Sequence, residues 1–376
     1  MDFIPYGKQS ITQEDVDAVV EVLHSDYLTT GPKVKEFEDA IASYCGASYC
    51  VAVSNGTAAL HLISLVLLQK GDKVLTTPNS FLATSNSILY AGAHPVFVDI
   101  AEDGNIDFDA CETMLQKDSS IKALYGVAFS GNMLNQKKLR HLKQKYGITI
   151  LEDNAHAIGA EYDGIKAGSC AHSDASIFSF HPVKHLTTAE GGAITTNSKE
   201  IYEKLLVLRN HGMVKTPDMK PWEYEMRELG FNYRITDLQC ALGVSQLQKL
   251  SSFVQRRKEI AQVYDASFAG SIVKPLYTFH GKSSYHLYVV KVDFSQLSLS
   301  KEQLFMQLRE RGIGIQLHYM PINKQPYYRS LGYGAEETPC MDMYYEQCFS
   351  LPMYAALTQE QQEYVIQNLF EVLTND

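Results

Sequence analysis

The seven cysteines, at positions 45, 50, 111, 170, 240, 340 and 348, are odd in number, and no two form a C-x-x-C pair. That usage supports neither a disulfide framework nor a zinc site. Free thiols in a reducing cytoplasm are the expectation. No H-E-x-x-H occurs either, so no metal is expected. Dense basic runs are missing: 33 Lys and Arg against 43 Asp and Glu leave a formal charge of −10, which argues against a nucleic-acid partner. A small anionic ligand is still allowed, because a few placed donors bind phosphate even on an acidic protein. The longest apolar stretch, AALHLISLVLL, is interrupted by His61 and is too short for a bilayer. MDFIPYGKQSIT lacks the basic and apolar segments of a signal peptide, so a cytoplasmic protein without a membrane partner is expected. No G-x-G-x-x-G follows the first strand, which counts against a Rossmann dehydrogenase.

What is present is ordinary globular composition, 45% apolar and 20% charged, in a chain of 376 residues. That length exceeds what one core usually supports, so two domains are expected. Thr12 caps a helix with Val16, Val19, Val20 and Leu23 on one stripe, and Val34, Phe37, Ile41 and Tyr44 mark a second. Strands and helices then alternate: YCVAVS, KVLTT, PVFVD, KALYGVAF and ITILED against GTAALHLISLVLL, FLATSNSILYA and NQKKLRHLKQKYG. These β-runs are almost continuously apolar, as in sheets covered on both faces. The order implies an α/β fold with a doubly wound, mostly parallel sheet. DASIFSF and GGAITT extend it, and Thr236 to Gln239 form a capping box opening a long helix. A smaller C-terminal α+β domain should follow, holding YHLYVVKVDF, the helix KEQLFMQLRER, a strand GIQLHY and a terminal helix TQEQQEYVIQNLFEVL. The expected division is 1–250 and 251–376.

Function in parallel sheets gathers at strand carboxyl ends. Four groups fall there. Ser54-Asn55-Gly56-Thr57 is a strand-to-helix turn whose free N–H groups could hold phosphate, although Gly-Thr at a helix start is often only a cap. Phe81 puts a ring at a strand end, where core packing is an equally good reading. Asp153 and His156, in EDNAHA, follow a buried strand, with a solvated turn acid as the ordinary alternative. FSFHPVKHLTTAEGG carries Lys184 among small polar residues, where most lysines would be surface charge. Together they meet one demand: pyridoxal phosphate needs a lysine, a phosphate cradle, a ring stacker and a carboxylate.

FSFHPVKHLTTAEGG, with EDNAHAIGA upstream and FNYRITDLQCALG downstream, resembles the DegT-type sugar aminotransferases, fold-type I pyridoxal-phosphate enzymes of the aspartate-aminotransferase-like class. The resemblance runs from PYGKQSI to LPMY, nearly the whole chain. It implies that Lys184 bonds to the cofactor and moves the substrate proton. It implies that Asp153 partners the pyridinium nitrogen, His156 contacts the phenolic oxygen and Phe81 stacks. Gly56, Thr57 and Ser179 would be phosphate ligands. Asn232 would be a phosphate ligand of the neighbouring subunit, making a homodimer with shared sites. Tyr6, the stretch Asp26, Tyr27, Leu28 and Thr29, and Gln316, Leu317, His318 and Tyr319 would line the nucleotide-sugar pocket, with simple packing the alternative for Leu28 and Leu317. HPVK, LTTGPKVKEFE, DGNID and HYMPI further resemble members that move an amino group from L-glutamate to C4 of a UDP-linked 4-keto-6-deoxy-N-acetylhexosamine, on the way to pseudaminic acid. Other nucleotide keto sugars, aminated at C3 or C4 and carried on dTDP or GDP, remain open. A sugar dehydratase would carry histidine in place of Lys184, and against a non-catalytic, cofactor-binding regulator stands the lack of a nucleic-acid-reading motif or basic stripe.

Overall fold

The computed structural model describes residues 2–276 and 281–374. The first part builds helices α1 (Gln13–Leu23) and α2 (Pro32–Cys45), then β1 (Tyr49–Val53), α3 (Gly56–Leu67), β2 (Lys73–Thr76), α4 (Leu82–Tyr90) and β3 (His94–Phe97). It continues through α5 (Phe108–Lys117), β4 (Ile121–Val127), α6 (Gln136–Tyr146), β5 (Thr149–Asp153), β6 (Ala175–Ser179), β7 (Gly192–Thr196) and α7 (Lys199–Arg209). The seven strands form one sheet in the order β1-β7-β6-β5-β4-β2-β3. Five run parallel from β3 to β6, and β7 is antiparallel to both of its neighbours. The mostly parallel sheet read from the apolar runs is therefore present, its inner strands buried nearly end to end. The reversal at β7 places the Lys184 loop, residues 180–191, at the carboxyl end of β6, beside the ends of β1 and β5.

A single helix, α8 (Asp237–Phe268), opens on the expected capping box, with Thr236 Oγ1 accepting from Gln239 N–H at 3.2 Å. It contributes Cys240 and Leu250 to a core under the large sheet and Ile260, Ala261, Tyr264 and Phe268 to a second core. That second core also holds Val273, next to β8 (Lys274–Pro275), and residues of β9 (Tyr288–Lys291), α9 (Lys301–Glu310), β10 (Cys348–Leu351) and α11 (Gln359–Thr374), while α10 (Pro339–Gln347) gives Met341 and Tyr344 to a separate cluster. Ile4 joins it from the N-terminus and is fully buried.

One local expectation differs from what forms, and another left its orientation open. GIQLHY is not a strand: Ile313, just before it, bridges Ile4 and Gln316 bridges Ser350, each singly, because the chain pairs briefly with two different segments. The α1 stripe does form but faces outward, with Val16, Val20 and Leu23 exposed. The side of α1 turned to α8 is instead a polar pin. Buried Asp15 accepts from Ser245 Oγ at 2.6 Å and Gln246 Nε2 at 2.7 Å, and pairs with Lys249 at 2.6 Å. Among the described residues no helix is long and apolar enough to cross a membrane.

Candidate active site

A cleft of about 750 Å³ opens where the carboxyl ends of β1, β5 and β6 face the segment 316–319. Its floor is built by helix starts. Asn55 caps α3, its side chain accepting from Ala58 N–H at 2.8 Å. Gly56 and Thr57 follow as the first helical residues, so their N–H groups have no intrahelical acceptor. Any Cβ on Gly56 would stand 2.9 Å from Ser179 Cβ, so the turn lies tight against the end of β6. That closeness sets a backbone N–H, two hydroxyls and the positive end of a helix on one spot.

Asp153 ends β5 and is buried. It accepts from Thr84 Oγ1 at 2.6 Å and from Ala155 N–H at 3.1 Å, and Thr84 in turn accepts from Ser80 Oγ at 2.9 Å. Burial raises the carboxyl's proton affinity, while the Thr84 and Ala155 bonds and the Lys184 charge pull it back down. Both hydrogen-bond donors are neutral, so a buried carboxylate lies ready for a cation.

Lys184 projects from the β6–β7 loop into the cleft, its backbone N–H donating to His181 at 2.9 Å. Burial pushes its amine from 10.5 down to about 8; Asp153 opposes this and Arg257 adds to it. His156 lies behind Asp153, bonded through Nε2 to the Tyr319 hydroxyl at 3.1 Å, with Nδ1 unpartnered among the described residues. Burial holds His156 well below the usual histidine range, so its ring is neutral near pH 7. Phe81 lines the cleft with 60% of its surface exposed, its ring 6.3 Å from Tyr319. A core residue would not be left this way.

Of the residues singled out from sequence, Tyr6, Gly56, Thr57, Phe81, Asp153, His156, Ser179, Lys184, Gln316, Leu317, His318 and Tyr319 all line this cleft. His318 is less free than the others: its Nδ1 is 2.9 Å from Ser350 Oγ, and burial pushes it to about 3. Asp26, Tyr27, Leu28, Thr29 and Asn232 do not line it; all five are exposed on the single chain. Thr84, His286 and Arg257 were not found from sequence. Thr84 had a signal, since it lies one helical turn beyond Phe81. His286 and Arg257 arrive from elements remote in sequence.

The residues fit pyridoxal phosphate: a cradle that a Cβ would fill, a neutral-donor carboxylate awaiting a cation, an exposed ring face and an unpartnered His156 Nδ1. The fold and site define a fold-type I, pyridoxal-phosphate-dependent aminotransferase. The profile of the DegT/DnrJ/EryC1/StrS aminotransferase family matches residues 9–370, and the chain belongs to that family. It is 41% identical to a UDP-4-amino-4,6-dideoxy-N-acetyl-beta-L-altrosamine transaminase of Campylobacter jejuni, over 98% of this chain and 97% of that protein. Helicobacter pylori PseC, an aminotransferase involved in the biosynthesis of pseudoaminic acid, superposes with a TM-score of 0.94 at 33% identity, covering 100% of both chains. The sugar aminotransferase Spr1654 of Streptococcus pneumoniae, described as putative and solved in its PLP form, gives 0.91 at 31% identity over 99% of each chain.

Proposed function

We propose that the chain transfers an amino group from L-glutamate to C4 of a UDP-linked 4-keto-6-deoxy-N-acetylhexosamine. The observation carrying this reading is Lys184, a lysine whose amine burial pushes down to about 8, set in a cleft with the buried Asp153 carboxylate. The sugar is argued from three relatives, 41%, 39% and 36% identical, that bear the altrosamine transaminase name. The bound cofactor would supply an aldehyde to carry the amino group and a ring to accept electrons from the substrate carbon. Gly56, Thr57 and Ser179 would hold its phosphate. Asp153 would keep a proton on the ring nitrogen, and Phe81 would cover one ring face. The Lys184 amine takes a proton from the donor's α-carbon and later delivers one to C4 of the sugar, work of a kind that typically supplies roughly 10²–10⁴ in rate. Tyr6, Gln316 and Tyr319 would orient the sugar over that amine. The test is a panel of UDP, dTDP and GDP keto sugars incubated with L-glutamate, read by mass and NMR. The expected product is the C4 amine of the UDP sugar; a C3 amine, or preference for another nucleotide, would overturn the substrate.

The working unit in this reading is a homodimer, with residues 1–250 as the cofactor domain and 251–376 as a smaller one. Asn232 and the stretch 26–29 lie outside the cleft of their own chain, and the outward stripe of α1 leaves apolar surface to cover. Asn232 would then reach the phosphate of the partner's site. Mixing inactive Lys184→Ala and Asn232→Ala proteins should restore measurable turnover, because one hybrid site carries both native residues. Absence of any recovery after subunit exchange would contradict sharing.

A further inference from the structure

His286 lies just ahead of β9, 102 residues beyond Lys184, yet the hydrogen-bond contact of Lys184 Nζ is with its Nε2, at 3.5 Å. The contact is long, as such bonds commonly are before a site is filled. The histidine itself is firmly placed. It is 3% exposed, its ring centroid 4.3 Å from that of His156 and 5.4 Å from that of His185. Its carbonyl accepts from Arg257 Nη1 at 3.1 Å, and the same guanidinium nitrogen holds the carbonyls of Tyr285 at 3.2 Å and Met353 at 2.8 Å. Arg257 is buried and its hydrogen-bond acceptors are all neutral carbonyls, so it stands behind His286 as a fixed cation.

We infer that His286 is a positioning residue for Lys184, accepting an N–H of its ammonium at Nε2 and aiming the amine into the cleft. The inference rests on the reading of Lys184 as the amine that exchanges the substrate proton. The groups facing Lys184 are Asp153 and His156 from the end of β5, His185 beside it, Arg257 from α8, His286, and His318 with Tyr319 across the cleft. Of the acids lining the cleft, Asp153 is buried and already engaged by Thr84, and Glu190 is exposed. The four imidazoles are buried and held neutral, so each can act only as a neutral hydrogen-bonding group. His156 uses Nε2 toward Tyr319, His185 uses Nε2 toward the Ser284 carbonyl and His318 uses Nδ1 toward Ser350, whereas His286 is the imidazole whose Nε2 meets Lys184 Nζ. His286 Nδ1 has no partner among the described residues, so nothing compels the ring to carry its proton on Nε2. An ammonium 3.5 Å from Nε2 favours the tautomer with its proton on Nδ1, which leaves the Nε2 lone pair to the lysine. When the substrate proton moves to Nζ, the C–H bond breaks, an N–H forms, and the carbon keeps the electron pair. His286 neither gains nor loses a proton; it holds the ammonium until the proton is returned.

The test compares His286→Leu, which removes the acceptor, with His286→Gln and His286→Asn, whose amides overlay Nε2 and Nδ1 respectively. Two readouts are taken. The first is the rate at which cofactor-free protein captures pyridoxal phosphate as a function of pH, followed by visible absorbance. The second is the single-turnover rate of the loaded enzyme with L-glutamate. In the parent, capture should rise through about pH 8 as the amine loses its proton. Loss of an acceptor disfavours the ammonium, so in the Leu and Asn variants the midpoint should fall by about one unit. The single-turnover rate should fall about a hundredfold in both, a general acid–base-sized loss. Gln should restore the midpoint and at least a tenfold share of the rate. An unmoved midpoint, or equal losses in Gln and Asn, would overturn the inference; should the Leu protein not fold, the Gln–Asn pair decides. Turnover by Lys184→Ala would overturn the underlying reading of the lysine, a separate and distinguishable failure.

Discussion

Replacing Lys184 with alanine is expected to abolish amino transfer, by a factor of about 10⁴ or more, and to remove the visible absorbance of the purified protein. Two losses combine. The methyl of alanine cannot bond to the cofactor aldehyde, and it cannot exchange the substrate proton. His156, His185, His286 and His318 surround the position, but burial holds all four well below the usual histidine range and so makes them weak bases, and three of them each use one ring nitrogen on another partner. A 10⁴-fold loss corresponds to about 5.5 kcal/mol of transition-state stabilisation. Folding should survive, because Lys184 forms no ion pair among the described residues and its backbone bond to His181 does not involve the side chain. Stopped-flow absorbance with L-glutamate measures both effects; parent-like turnover in the alanine protein would contradict the assignment.

Asp153→Asn carries the second-largest expected effect, a loss of roughly 10²–10³ in the glutamate half-reaction, the range seen when one preorganised electrostatic group is removed. The geometry makes this a clean change. Asparagine keeps the shape, Ala155 N–H can still donate to the amide oxygen, and Thr84 Oγ1, now 2.6 Å from the carboxylate, can accept from the amide nitrogen. Only the charge goes. In the proposed roles a neutral amide would not keep a proton on the ring nitrogen, so electron withdrawal would weaken, while Gly56, Thr57 and Ser179 would still hold the phosphate and retain part of the cofactor. Unchanged half-reaction kinetics would remove that role from Asp153.

Sequence alone made the large sheet legible because strands covered on both faces leave long apolar runs, and because Gly56, Asp153 and Ser179 stand where those runs end. The capping box at Thr236 marked the start of α8 to the residue. Segments with weak or divided pairing were less legible. GIQLHY has strand-like composition, but Ile313 just before it and Gln316 within it pair singly with Ile4 and Ser350, a tertiary fact that no local pattern encodes. The α1 stripe shows the converse: its period is correct, yet amphipathicity does not say which face turns inward, and the Asp15 network decides that. Thr84 was accessible from helical spacing. His286 and Arg257 were not, since a histidine within YHLYVV and an arginine within a charged helix carry no local sign that they meet behind a lysine far away in the chain.

The most direct measurement of the central claim is reduction of the pyridoxal-phosphate-loaded protein with borohydride, which fixes the cofactor onto the amine that carries it, followed by peptide mass mapping. The cofactor's mass should appear on the peptide containing Lys184 and disappear when L-glutamate is added before reduction. A cofactor fixed to any other lysine, or one that stays on Lys184 after glutamate, would contradict the account.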